Sequence, residues 1–224
     1  MRFDIISVVP DTMSSYINSS IIKNAQDKNK VEIFLHDLHE YSSNKHKKID
    51  DYPFGGGSGM LIQCEPVFNL VNKLKSERDY DEVIYTSADG QIYNQDSANQ
   101  LSLKNNIIII AGHYKGIDQR IRDELVTMEI SVGDFILTGG ELPSLLILDS
   151  VVRLLPGVLG DSEAAMTDSF MNGLLEEPQY TRPANFQDLE IPQVLLSGNH
   201  QAIADWRQEQ QILKTKRLRP DLLK

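Results

Sequence analysis

Cysteine is almost absent from this chain: Cys64 is the single one in 224 residues. That excludes an internal disulfide framework and a cysteine-built metal centre, and no other metal-ligating cluster stands out. No run of 18 or more apolar residues occurs, so no ordinary membrane-spanning helix is expected. The opening M-R-F-D-I-I-S-V-V-P lacks the long apolar run and small-residue cleavage site of a signal peptide. These absences predict a cytoplasmic protein with no membrane association. Positive charge is also scarce, with 22 Lys and Arg against 32 Asp and Glu and a net charge of −10. Phosphate binding needs local cations, so a general affinity for nucleic acid is not expected from the bulk charge. No G-x-G-x-x-G opens a helix after the first strand, which argues against a dinucleotide-dependent oxidoreductase. The glycine-rich loop G-G-G-S-G at 55–59 lacks the Gly-Lys-Ser/Thr ending of a P-loop, which argues against a GTPase.

What is present is an ordinary apolar content of 41%, arranged in alternating strands and helices. Phe3–Val9 reads as a buried first strand ending at Pro10, followed by a helix over 11–24 with Asp11 as its N-cap. Val31–Leu38 reads as a second strand, 39–51 as a loop, and Glu65–Ser76 as a helix. Glu82–Thr86 is a short strand, Asn94–Leu103 a helix, and Ile107–Ala111 a strand with no polar face, hence central and covered on both sides. Glu141–Leu155 is a helix apolar nearly all round, to be buried against its own sheet or another subunit. This alternation predicts an α/β fold with a parallel sheet. After Gly160 the chain turns small and polar, then proline-broken, and ends in a polar helix over 201–216. The expected plan is a main domain at 1–160, a flexible linker at 161–172 and a small, mostly helical domain at 173–224.

In parallel α/β sheets, ligands bind outside the carboxyl ends of the strands. Three loops qualify: Ser87–Gly90, Gly112–Asp118 and Gly133–Glu141. The glycines of S-V-G-D-F-I-L-T-G-G-E-L-P (131–143) permit close approach of a ligand to the backbone, or serve only as ordinary turns. Two basic clusters break the acidic background. Lys45, His46, Lys47 and Lys48 form one; Arg207, Lys214, Lys216, Arg217, Arg219 and Lys224 form the other, against Asp205, Glu209 and Asp221. They suit a polyanionic partner or simply solvated surface. By spacing alone, Asp168 reads as a helix N-cap before S-F-M-N, and Arg153 as an i,i+4 partner of Asp149.

Taken together, several segments resemble one family over the whole chain and in the same order. They are I-D-D-Y-P-F-G-G-G-S-G-M, A-G-H-Y-K-G-I-D-Q-R, S-V-G-D-F-I-L-T-G-G-E-L-P, R-L-L-P-G-V-L, D-S-F, Y-T-R-P, L-L-S-G-N-H and R-L-R-P-D-L-L. The chain is similar to bacterial tRNA (guanine-N1)-methyltransferases of the TrmD type. The resemblance implies methyl transfer from S-adenosylmethionine to N1 of guanosine 37 of tRNA, next to the anticodon. It implies a SPOUT-type α/β domain with a deep trefoil knot, and a homodimer with active sites at the subunit interface. Asp168 then matches the general base, and Arg153 the arginine that contacts the guanine and stabilises its O6. Gly112, Val132, Gly133, Asp134, Phe135, Ile136 and Leu137 match the donor-binding positions, with Tyr85, Thr86, Gly116, Gly139, Gly140 and Pro143 as further lining. Arg182, Asn199, His200, Lys214, Lys216, Arg217 and Arg219 become candidate tRNA contacts. Two departures stand out. Lys115 occupies a position where most members carry a Glu linked to metal-assisted proton handling, which weakens an expectation of Mg2+. Ala88 replaces a usual proline. A non-catalytic RNA-binding protein that kept the fold is the alternative.

Overall fold

The computed structural model describes residues 1–160 and 168–223, and the chain divides into two compact units, Met1–Gly160 and Asp161–Lys224. The first unit is built on a five-stranded, all-parallel sheet in the order β2-β1-β6-β5-β7. Its strands are β1 (Arg2–Ser7), β2 (Glu32–Asp37), β5 (Glu82–Ile92), β6 (Asn106–Ala111) and β7 (Met128–Ser131). A separate antiparallel pair, β3 (Asp50–Asp51) and β4 (Leu61–Ile62), brackets the glycine-rich loop.

The central strand β6 explains its own composition. Ile107 and Ile109 point into one apolar cluster, Ile108 and Ile110 into another, because successive side chains of a strand alternate between faces. Helices α1 (Asp11–Ile17), α2 (Ser20–Asp27), α4 (Gln95–Ser102) and α6 (Glu141–Val152) cover the first face through Met13, Ile22, Leu101 and Leu148. Helices α3 (Cys64–Glu77) and α5 (Gln119–Glu124) cover the second through Val67, Leu70 and Ile121. Both faces are thus dry, as a parallel sheet requires.

The expected helix over 11–24 is two helices. Pro10, not Asp11, occupies the N-cap position, and Asp11 is the first helical residue. The break follows from polar side chains that fold back on the backbone. Asn18 Nδ2 donates to the Ser14 carbonyl and Ser19 Oγ to the Tyr16 carbonyl, in competition with helix continuation. Ser20 then starts α2 with φ 48. The loop expected at 39–51 holds a short 3-10 turn, Leu38–Tyr41, and β3. Helix α6 stops at Val152, with Arg153 as its C-cap, short of the expected Leu155. Strand β5 runs on to Ile92, past the expected end at Thr86. Thr86 and Gln91 both pair with Ile130 of β7, so residues 87–90 bulge out between them.

The second unit contains a two-residue hairpin of β8 (Asn185–Phe186) and β9 (Leu189–Glu190), and the 19-residue helix α7 (His200–Leu218). Gln187 and Asp188 at the hairpin tip have φ 54 and 62, as a type I′ turn demands. Asn199 caps α7 by accepting from the Ala202 N–H. Thr215, fully buried on α7, accepts from Leu175 N–H at 2.9 Å and donates to the Gln211 carbonyl at 2.7 Å. Of the linker expected at 161–172, residues 161–167 lie outside the described residues. No helix starts within 168–173, so Asp168 is not an N-cap. The segment 168–173 is a run of turns in which the Asp168 carbonyl accepts from Met171 N–H.

Candidate active site

The carboxyl ends of β5, β6 and β7 lie side by side: Thr86 pairs with Ala111 on one side and Ile130 on the other. The loops that leave them enclose a cavity of about 450 Å³. That size suits a small organic ligand. Ser87–Asp89 contribute from the first loop, Gly112–Ile117 from the second, and Val132, Gly133, Phe135–Gly140 and Pro143 from the third.

The glycines at the crossing of the second and third loops have a steric reason. Gly140 N–H donates to the Gly112 carbonyl at 2.6 Å, and Gly112 N–H donates to Thr86 Oγ1 at 3.2 Å. A Cβ on Gly140 would lie 2.2 Å from Thr86 Oγ1 and 2.4 Å from the Gly112 nitrogen. A Cβ on Gly112 would meet the Thr86 carbonyl oxygen at 2.9 Å. Only glycine at both positions lets the two loops cross this closely. The result is a wall of main-chain groups beside an apolar flap of Phe135, Ile136 and Leu137, of which Ile136 is 84% exposed.

Two polar networks reach the cavity through lining residues, one through Asp89 and Arg122 and one through His113, while Glu129, Ser7 and Glu141 are not in the lining. On one side Arg122 forms a bidentate pair with Glu129 at 2.8 and 2.6 Å and bonds Asp89 at 3.0 Å, with its guanidinium 5.7 Å from the Tyr85 ring centre. The Glu129 contact raises its already high pKa further, and burial pushes the Tyr85 phenol up. On the other side Glu141, buried in the first turn of α6, accepts from Ser7 Oγ at 2.7 Å. Its second oxygen lies 3.9 Å from Nδ1 of His113, a lining residue.

The structure brings together twelve of the thirteen expected donor-site residues. Tyr85, Thr86, Gly112, Gly116, Val132, Gly133, Phe135, Ile136, Leu137, Gly139, Gly140 and Pro143 all line the cavity, and Asp134 does not. Ser7, His113, Arg122, Glu129 and Glu141 were not expected. His113 and Glu141 fall inside the glycine-marked loops, but nothing local announces their contacts: Ser7 and Glu141 are 134 residues apart, while Arg122 and Glu129 are only 7 apart. None of the glycines of the 55–59 loop lines the cavity. Gly55, Gly56 and Gly57 stand in open space at positive φ, while Gly59 packs under the aliphatic stem of Lys115. Lys115 itself lines the cavity and places a cation there rather than a metal ligand. Among the described residues no group of three or more His, Cys, Asp or Glu is arranged to hold a metal ion.

Arg153 is not in the lining. The cavity meets the start of α6, and Arg153 follows the end of that 12-residue helix, roughly 18 Å away by helical rise. Asp149, four residues before it, is engaged by the Tyr16 hydroxyl. Asp168 belongs to the second unit. There the expected tRNA contacts divide. Arg182, His200, Lys216 and Arg217 are exposed, His200 being neither cap nor core. Asn199 is committed to its cap, Lys214 Nζ donates to the Glu176 carbonyl at 2.7 Å, and Arg219 pairs with Asp221 at 2.7 Å. Among the described residues no helix is long and apolar enough to cross a membrane.

Comparison with known proteins identifies the family. The family model described as tRNA (Guanine-1)-methyltransferase TrmD matches residues 1–224. A tRNA (guanine-N(1)-)-methyltransferase of Azobacteroides pseudotrichonymphae is 55% identical over 222 residues, 99% of this chain and 100% of that one. Proteins of the same name from Bacteroides fragilis and Porphyromonas gingivalis are 50% and 52% identical, each covering 100% of this chain and 99% and 100% of their own. A match that spans the whole sequence, joined to relatives at half identity or more over their full length, places the chain in the tRNA (guanine-1)-methyltransferase family of the TrmD type.

Proposed function

We propose that the chain transfers a methyl group from S-adenosylmethionine to N1 of guanosine 37 in tRNA. Family membership makes it a tRNA (guanine-N1)-methyltransferase. The observation that carries the finer reading is the cavity where three strand-end loops converge, walled by backbone amides and carbonyls and an apolar flap. Such a wall reads the edge of an adenine, and Ile136 and Leu137 cover its face. Bound there, the donor supplies an electrophilic sulfonium methyl. Guanine N1 carries a proton and attacks only once that proton leaves. Asp168 is the base that takes it. Arg153 donates to O6, where negative charge gathers as N1 ionises. Recognition of a loop nucleotide involves turning the base out of its stack.

The active unit is a homodimer. Arg153 and the cavity occupy opposite ends of α6, so a cavity is completed by Arg153 from a second copy. Exposed Leu142 and Leu146 on α6, with Ile136 beside the cavity, offer the apolar surface for it. A SPOUT-type trefoil knot is part of the same proposal, and the tight crossing of Gly140 over Gly112 supports it. The second unit supplies tRNA contacts through Arg182, His200, Lys216 and Arg217, and the enzyme acts in the cytoplasm. Nothing in the geometry favours a non-catalytic RNA-binding module.

The test is methyl transfer to a tRNA transcript with guanosine at position 37, against the same transcript with adenosine there. Methylation of the first alone is expected. Asp168→Ala is expected to lose turnover while keeping its fold, and near-normal turnover would remove Asp168 from the mechanism. Arg153→Lys is expected to lose activity because the fork of Arg matters for a bidentate contact. Full activity would show that charge alone suffices.

A further inference from the structure

Glu141 is a buried acid outside the cavity lining, next in sequence to the lining residue Gly140, with no part in the chemistry above. Its Oε1 accepts from Ser7 Oγ at 2.7 Å, and Ser7 Oγ in turn accepts from the Val9 N–H at 2.9 Å. Its Oε2 lies 3.9 Å from His113 Nδ1. That nitrogen is sealed from solvent and has no hydrogen-bond partner among the described residues. A Cβ on Gly139 would sit 2.2 Å from Glu141 Oε2 and 3.0 Å from His113 Nδ1, so the glycine is what lets the two face each other. The His113 ring stands edge-on to Tyr114, with centroids 4.9 Å apart, and its exposed part borders the cavity.

The sealed nitrogen is short of a partner, which is costly to maintain, and the Glu141 carboxylate oxygen is an acceptor 3.9 Å from it. A shift of about 1 Å closes them to a charge-assisted hydrogen bond. The bond that one imidazole nitrogen makes decides the role of the other. We propose that His113 is a positioning residue for the bound methyl donor. Glu141 holds its Nδ1–H, and Nε2 is thereby fixed as an acceptor for a hydroxyl or ammonium hydrogen of that ligand. The inference rests on the reading of the cavity as the donor pocket.

The geometry supplies an unusual test. Ser7 Oγ accepts from Val9 N–H and donates to residue 141, and in Glu141→Gln the orientation that keeps this bond turns the amide oxygen to Ser7 and the amide nitrogen to His113. The variant then donates into Nδ1 and reverses the tautomer, which turns Nε2 from acceptor to donor. Binding of S-adenosylhomocysteine and 5′-methylthioadenosine, which lacks the amino-acid tail, is measured calorimetrically with wild type and E141Q. Wild type is expected to bind S-adenosylhomocysteine, and E141Q to bind it roughly tenfold or more weakly. A loss that persists with methylthioadenosine assigns a ribose hydroxyl, and one confined to S-adenosylhomocysteine assigns the ammonium. Failure of wild type to bind overturns the pocket reading itself. Binding by wild type with E141Q within threefold overturns this inference alone. Nitrogen NMR of the wild-type complex decides independently of how well E141Q folds. His113, one of five histidines, is assigned with His113→Gln. The Nδ1–H tautomer is expected, and the Nε2–H tautomer or a doubly protonated ring overturns the proposal.

Discussion

Asp4 gathers three partners in a fully buried position. It accepts from Arg2 at 2.7 and 2.8 Å and from the Tyr80 hydroxyl at 2.6 Å, and it meets His36 Nε2 at 2.8 Å. Burial by itself would raise its pKa, but the bonds from His36, Arg2 and Tyr80 outweigh that and hold it at about 2. A carboxyl with a depressed folded pKa stabilises the fold above its unfolded value, near ~3.9, and loses that contribution as pH falls through the folded value. Wild type is therefore expected to lose roughly 2 kcal/mol between pH 5 and pH 2 from this group. Asp4→Asn should show a shallower acid decline and a lower plateau at pH 7, measured by urea titration across that range. A second prediction concerns the loop crossing. Gly140→Ala should cost at least ~3 kcal/mol or displace the loops, because its Cβ has backbone and Thr86 in the way. Gly160→Ala, where nothing lies within 4 Å, should leave the thermal midpoint in place. The glycines of this site were legible in the sequence because a strand running into glycines marks a backbone-lined loop. The Ser7–Glu141–His113 contacts were not, because they exist only once β1, β6 and α6 are brought together.

Helix α6 shows how element and surroundings share the information. Its apolar character is plain in the sequence, but only the structure separates Leu145, Ile147, Leu148, Val151 and Val152, packed inside, from Leu142 and Leu146, 61% and 55% exposed. The exposed pair are four apart and so lie on one face. In the proposed homodimer that face is covered, and a two-fold interface repeats each residue in both copies. Leu142→Glu with Leu146→Glu should therefore raise the dimer dissociation constant at least ~100-fold, as burying unpaired carboxylates is costly. Sedimentation equilibrium measures it, and an unchanged dimer would move the interface elsewhere. Four of the five strands of the main sheet and helices α3, α4 and α6 were legible from periodicity, β6 most clearly, whereas β7, α5 and the short β3–β4 pair were not. The α1–α2 break was not, since it turns on the local bonding of Asn18 and Ser19, which competes with an otherwise helical pattern.

At the scale of the whole molecule, an acidic protein has to hold a polyanion. The net charge of −10 makes long-range attraction unfavourable, so binding falls to local cations. Several of those are already engaged: Lys214 with Glu176, Arg219 with Asp221, Arg207 with Glu177. Lys216 and Arg217, exposed side by side on the last turn of α7, are the better candidates for phosphate. Replacing both by Ala should reduce the slope of log K for tRNA against log salt by ~1.4 to ~1.8, read from binding titrations at several salt concentrations. An unchanged slope would place the tRNA on other residues. One feature of β5 also bears on how such enzymes diversify. Because Thr86 and Gln91 share Ile130 as partner, the chain between them is slack that the ladder never counts. A residue added or lost among Ser87, Ala88 and Asp89 leaves every other pairing of the sheet in step, whereas the same change within β6 would turn its isoleucines to the wrong faces. The rim of the cavity is thereby free to vary in length across descendants while the sheet beneath it keeps count.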